Sequence, residues 1–125
     1  MALSVSAVVP TLGRSPYLAA CLRALRREGG SALELVVVDQ ADVPVELPEE
    51  VGARVLRAGS NLGFARANNL GIAATHGDLV AAVNDDAVVE PGWLAPLVAA
   101  LAADPRLAAA QGVQLVLGEE SQVDG

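Results

Sequence analysis

Apolar residues run along this chain in two alternating rhythms. Short apolar runs at 4–9, 33–38 and 79–83 read as buried strands. The first ends at Pro10, the second at Asp39 and the third at Asn84-Asp85-Asp86. Leu33-Glu-Leu-Val-Val-Val38 is nearly continuous, as expected for a central parallel strand covered on both faces. Between the runs the period changes. Leu18, Cys21, Leu22 and Leu25 recur at i, i+3, i+4 and i+7, one helical stripe. Ser15-Pro16 supplies an N-cap and first helical position, and Gly29-Gly30 a stop.

The same reading places helices over 64–75, after a turn at 61–63, and over 93–103, between Pro91-Gly92 and Asp104-Pro105. Residues 41–52 hold two prolines and four acids and read as a surface loop. Arg54 to Arg57 is expected as a short edge strand, and Leu107 to Leu117 as a further strand. The order β-α-β-(β)-α-β-α-β predicts an α/β fold: a Rossmann-like, mostly parallel sheet with helices on both faces. One domain over 1–117 and a polar tail over 118–125 are expected.

Composition narrows the functional classes. Hydrophobic residues make up 53% of the chain and aromatics 2%, so the core is built from Val, Leu, Ile and Ala. The net charge is −7, and all eight basic residues are scattered arginines, which argues against a nucleic-acid partner. The absence of lysine removes a P-loop, and no Gly-x-Gly-x-x-Gly follows the first strand. Cys21, the single cysteine, cannot form an intrachain disulfide and reads as a core thiol. His76, the single histidine, reads as a partner for a helix C-terminus and leaves no Ser-His-Asp set. No run reaches the ~20 apolar residues of a membrane span. A cytoplasmic location, free or peripheral at the inner face of the membrane, is expected.

In open parallel sheets, ligands bind beyond the carboxyl ends of the strands. Pro10, Thr11 and Arg14, then Asp39, then Asn84, Asp85 and Asp86 all fall at such ends. Adjacent carboxylates repel, so Asp85-Asp86 reads either as a solvated turn or as a site for a hard divalent cation. Asp39 can accept from a ribose or base, or cap the next turn. Asn61 and Gly63 open a helix whose N-terminus favours anions, with Arg66 in its first turn. Arg66 reads as a solvated helix face somewhat ahead of a ligand contact.

The ordered set of motifs resembles family 2 glycosyltransferases, especially rhamnosyltransferase-like members. The resembling segments are Val8-Val9-Pro10-Thr11-x-x-Arg14, Leu35 to Asp39, Asn61-Leu62-Gly63-Phe64-Ala65 and Asn69-Leu70-Gly71-Ile72. Gly77-Asp78, Val83-Asn84-Asp85-Asp86 and Val89-Glu90-Pro91-Gly92-Trp93-Leu94 complete it. The resemblance implies the N-terminal half of a GT-A fold and a UDP- or dTDP-sugar donor. It implies that Pro10, Thr11 and Asp39 flank base and ribose, and that Asn61, Gly63 and Asn69 belong to the donor segment. It implies Mg²⁺ or Mn²⁺ held by Asp86, within Asn84-Asp85-Asp86, and inverting transfer to a saccharide or glycolipid acceptor. Asn68 stands where many relatives carry Arg, which shifts the expected phosphate contact towards Arg66. Members of the family continue further, so acceptor site and general base are expected outside this chain; Glu119, Glu120 and Asp124 read as solvated. The alternative is a non-catalytic nucleotide-binding or assembly module of the same half-fold, with a homodimer covering its open sheet edge.

Overall fold

The computed structural model describes residues 3–112, 115–116 and 119–123. Its central sheet holds four parallel strands, β1 (Val5–Thr11), β2 (Glu34–Asp39), β3 (Arg54–Arg57) and β4 (Leu79–Ala82), in the order β3-β2-β1-β4. Helix α1 (Leu18–Gly29) connects β1 to β2, and α2 (Phe64–Ala73) connects β3 to β4. The first crossover moves from β1 towards β3; the second returns across the sheet to the far side of β1. Right-handed crossovers running in opposite directions put the two helices on opposite faces.

The apolar runs form strands because both of their faces are covered. Ala7, Val8 and Val9 on β1 and Leu35 to Val38 on β2 are buried without a break. Alternation divides them. Val8, Val36 and Val38 cluster with Ala67 of α2. Ala7, Val9, Leu35 and Val37 point the other way, and α1 adds the buried stripe Leu18, Cys21, Leu22 and Leu25. Truncating a fully buried leucine such as Leu22 removes about 2–5 kcal/mol in comparable cores. Pro10 sits inside β1 without disrupting the sheet, because pairing with β4 ends at Val8↔Ala82, two residues earlier.

Two boundaries differ from the sequence reading. Helix α1 begins at Leu18, with Tyr17 at its N-cap position and no side-chain cap. Ser15 Oγ instead accepts the Tyr17 N–H (3.1 Å) and donates to the Asp85 carbonyl (3.2 Å), so its hydroxyl closes a turn towards the sheet edge. His76 lies beyond the end of α2, and its Nδ1 is 2.9 Å from Glu34 Oε2, a carboxylate partner where a helix end was expected. Arg26 uses its guanidinium as a clasp, donating to the carbonyls of Val51 (2.8 Å), Gly30 (2.7 Å) and Leu33 (2.6 Å).

Contacts divide the chain into two compact units, Met1–Pro91 and Gly92–Gly125. The second holds α3 (Leu94–Ala103) and an antiparallel pair, β5 (Leu115–Val116) with β6 (Glu119–Val123). The strand expected over 107–117 is therefore reduced to β5, with 113–114 and 117 outside the described residues. Within the segment expected as a polar tail, Glu119–Val123 pairs as β6; Asp124 lies outside the described residues, as do the side chains of Glu119 and Glu120.

Candidate functional site

The carboxyl ends of β1, β2 and β4 come together around one open cleft of about 710 Å³, contained within the first unit. It lies where the chain order reverses, with β2 on one side of β1 and β4 on the other. Neighbouring loops diverge at such a switch point and leave a crevice.

Three segments build its walls. The end of β1 contributes Pro10 and Thr11 and the loop after it Arg14 and Tyr17; the loop after β4 contributes Asn84, Asp85 and Asp86; the entry to α2 contributes Asn61, Gly63 and Phe64. Thr11, only 2% exposed, ties the first two together. Its Oγ1 donates to Asp85 Oδ2 at 2.7 Å and accepts the Gly13 N–H at 3.0 Å. Behind them the Cys21 thiol donates to the Asn84 carbonyl at 3.5 Å. Burial, reinforced by the carboxylates of Asp85 and Asp86, pushes that thiol up to about 12.

Thr11 and Asp39 are register partners at the ends of β1 and β2, and Asp86 follows the Thr11-bound Asp85, so all three stand on one rim. Their side chains are used differently. Asp86 is exposed on the cleft and makes no hydrogen bond or ion pair among the described residues. Asp39 is 1% exposed and does not line the cleft. Its Oδ1 accepts the Ala41 N–H (3.0 Å) and lies 3.2 Å from Arg57 Nη1, while its Oδ2 accepts the Val45 N–H (3.0 Å).

At the third wall, Asn61 Oδ1 accepts the Gly63 N–H (2.9 Å), and Gly63 takes φ +84, a backbone that other residues rarely adopt. That turn opens the N-terminus of α2 beside the cleft, where unpaired N–H groups and the helix dipole favour an anion. Arg14 adds an exposed guanidinium without an ion pair among the described residues. Arg66 and Asn69 lie exposed on α2 and do not line the cleft.

Six lining residues escaped the sequence reading as ligand-facing groups: Leu12, Ser15, Pro16, Tyr17, Gln40 and Phe64. Phe64 is 69% exposed and Tyr17 41%. In a chain with one Phe and one Tyr, two aromatics flanking predicted loops at the sheet's carboxyl edge were the available signal.

The donor set at Asp85-Asp86 is all oxygen, which suits a hard divalent cation. Among the described residues no cluster of three or more His, Cys, Asp or Glu could enclose a metal. The free Asp86 carboxylate therefore fits an ion that takes its other ligands from phosphate and water, as Mg²⁺ commonly does.

Residues 6–123 match the family described as Glycosyl transferase family 2. A Sinorhizobium fredii (strain NBRC 101917 / NGR234) protein named Uncharacterized protein y4gI is 34% identical over 105 residues, covering 76% of this chain and 12% of that one. Among solved structures, S. aureus TarS superposes with a TM-score of 0.64 at 19% identity, covering 81% of this chain and 20% of TarS. The mannosyltransferase PcManGT from Pyrobaculum calidifontis, solved in complex with GDP-Man and Mn²⁺, gives 0.67 at 22% identity, covering 84% of this chain and 34% of that one. The two structures agree in fold. This chain spans between 12% and 34% of the length of these three proteins. Among the described residues no helix is long and apolar enough to cross a membrane.

Proposed function

The chain belongs to glycosyl transferase family 2 and carries the N-terminal portion of its GT-A fold, and from that premise we propose that the cleft binds a nucleoside-diphosphate sugar with a divalent cation, for inverting transfer to a saccharide or glycolipid acceptor. One observation carries this reading. Thr11, Arg14, Asn61, Gly63 and Asn84 to Asp86 come from three separate segments and line a single cleft at the topological switch point.

Each wall has a task in the proposal. Pro10 and Thr11 bound the nucleoside end. The N-terminus of α2 and Arg14 face the diphosphate with positive potential. Asp86 holds Mg²⁺ or Mn²⁺, while Asp85, fixed by Thr11, keeps the loop after β4 in place. Bound there, the cation supplies Lewis-acid stabilisation of the charge that grows on the departing diphosphate. Inversion needs a base on the acceptor side to take the proton of the attacking hydroxyl. The cleft carboxylates stand on the donor side in this arrangement, so the base comes from elsewhere in the enzyme.

UDP or dTDP is the proposed donor nucleotide, and a rhamnosyl-type sugar is the narrower form of the same proposal, supported by the ordered motifs from Val8 to Leu94. Calorimetric titration of the chain with UDP, with and without Mn²⁺, tests the reading. Metal-dependent binding is expected, with affinity falling at least about tenfold in Asp86→Ala, the scale of one lost charge-assisted contact. Binding that ignores both the metal and the substitution would rule it out.

A further inference from the structure

Asp86 lines the cleft, yet no partner of its own orients its carboxylate among the described residues. Its direction comes from its main chain. The Ala87 N–H donates to the Asn84 carbonyl at 3.1 Å, which closes a β-turn over residues 84–87 with Asp85 and Asp86 at its two central positions. Among the described residues only glycines take a positive φ, so the turn has the type I hand.

The segment that runs from the end of β1 into α1 grips this turn at three points. Thr11 Oγ1 donates to the Asp85 carboxylate at 2.7 Å. The Cys21 thiol donates to the Asn84 carbonyl at 3.5 Å, at the turn's first residue. Ser15 Oγ donates to the Asp85 carbonyl at 3.2 Å. The Ser15 bond differs from the other two in what it holds. The Asp85–Asp86 peptide is the central one of the turn, and Ser15 is the one side chain bonded to it among the described residues. The Tyr17 N–H donates to Ser15 Oγ at 3.1 Å, which leaves the hydroxyl proton for the carbonyl. Helix α1 begins at Leu18 without a side-chain cap, so this hydroxyl is not spent on a helix end.

Building on the nucleotide-sugar reading above, we infer that Ser15 is a positioning residue for the cation: its hydroxyl holds the central peptide of the turn and so aims the Asp86 carboxylate into the cleft. Ser15 acts through Asp86 in this role. Flipping the central peptide to the type II hand would force Asp86 to a positive φ, which residue type opposes. The Ser15 bond limits the smaller rocking motions that residue type leaves free. The carboxylate is then ordered before any ligand arrives. Without the hydroxyl, the turn is held at its first carbonyl and at the Asp85 side chain, and binding itself must order Asp86, a cost subtracted from affinity.

A double-variant cycle tests this, and a half-buried serine in a loop puts the fold at little risk. UDP is titrated at fixed Mn²⁺ into the unsubstituted chain, Ser15→Ala, Asp86→Ala and the double variant, with far-UV circular dichroism and melting temperature as the check on folding. Ser15→Ala is expected to weaken UDP binding about three- to tenfold, the scale of one neutral hydrogen bond. Ser15→Thr keeps a hydroxyl and should recover most of that loss. In the double variant the loss should disappear, because no carboxylate remains to be aimed, and affinity should match Asp86→Ala alone. The same loss repeated on top of Asp86→Ala would show a merely structural role and overturn the inference. So would unchanged UDP binding in Ser15→Ala. UDP binding that needs neither Mn²⁺ nor Asp86 in the unsubstituted chain and Asp86→Ala would overturn the donor-site reading itself, and this inference with it.

Discussion

Thr11 shows how much one buried hydroxyl can organise. It stands at the end of β1, 2% exposed, with Oγ1 between the Gly13 N–H and Asp85 Oδ2. Valine has nearly the same shape and fills the same volume, but it leaves a carboxylate and an N–H without that partner. Hydrogen bonds to charged groups contribute about 1.5–3 kcal/mol, so Thr11→Val should lower unfolding free energy by that order in urea titrations. It should also weaken nucleotide binding, because the loop after β4 loses its tether. A variant with unchanged stability and unchanged binding would mean that the tie has no energetic role. The residue type was legible in the sequence as a polar group at a strand end. Its partner was not, because Thr11 and Asp85 are 74 positions apart and only the sheet order brings them together.

At the level of elements, periodicity identified β1, β2, β3, β4, α1, α2 and α3, and most of their ends fell within two residues. The misses have a common cause: a side chain used for a distant partner where a local one was assumed. Ser15 serves Asp85 as well as Tyr17, and His76 serves Glu34. Helix α2 illustrates the opposite case, where packing imposes a residue that propensity would reject. Gly71 lies in its buried face, and a Cβ there would sit 2.3 Å from Val8 Cγ1 and 3.0 Å from Val38 Cγ2. Alanine favours a helix over glycine by about 1 kcal/mol. Overpacking a filled core costs about 1–3 kcal/mol, and Val8 is fully buried with nowhere to move. Packing wins, so Gly71→Ala should lower the melting temperature; a rise would show that α2 can lift off the sheet at little cost.

On the scale of the whole first unit, the sheet is pinned at both ends. Opposite the cleft, Glu34 joins three segments. Its Oε1 accepts from Ser6 Oγ (2.6 Å) and from the His76 N–H (2.7 Å), and its Oε2 meets His76 Nδ1. The His76 side chain foremost, then Ser6 and the His76 N–H, hold the Glu34 carboxyl down to about 2 from an ordinary 4.5. A depressed carboxyl stabilises the folded state above its unfolded value and loses that contribution as acid protonates it. Stability should therefore fall between about pH 4.5 and pH 2, and Glu34→Gln should flatten this part of the profile in denaturant titrations. A slope indifferent to the substitution would place the acid sensitivity elsewhere. None of this network was visible in sequence, where Glu34 is only the one charged residue within an apolar run.

Among the described residues, all that line the cleft fall between Pro10 and Asp86. The cleft lining is thus encoded, among the described residues, by one stretch of fewer than a hundred codons. Insertions and wholesale replacement downstream leave its lining residues in place. The matched proteins differ widely in total length, so a segment of this kind is carried within chains of very different extent.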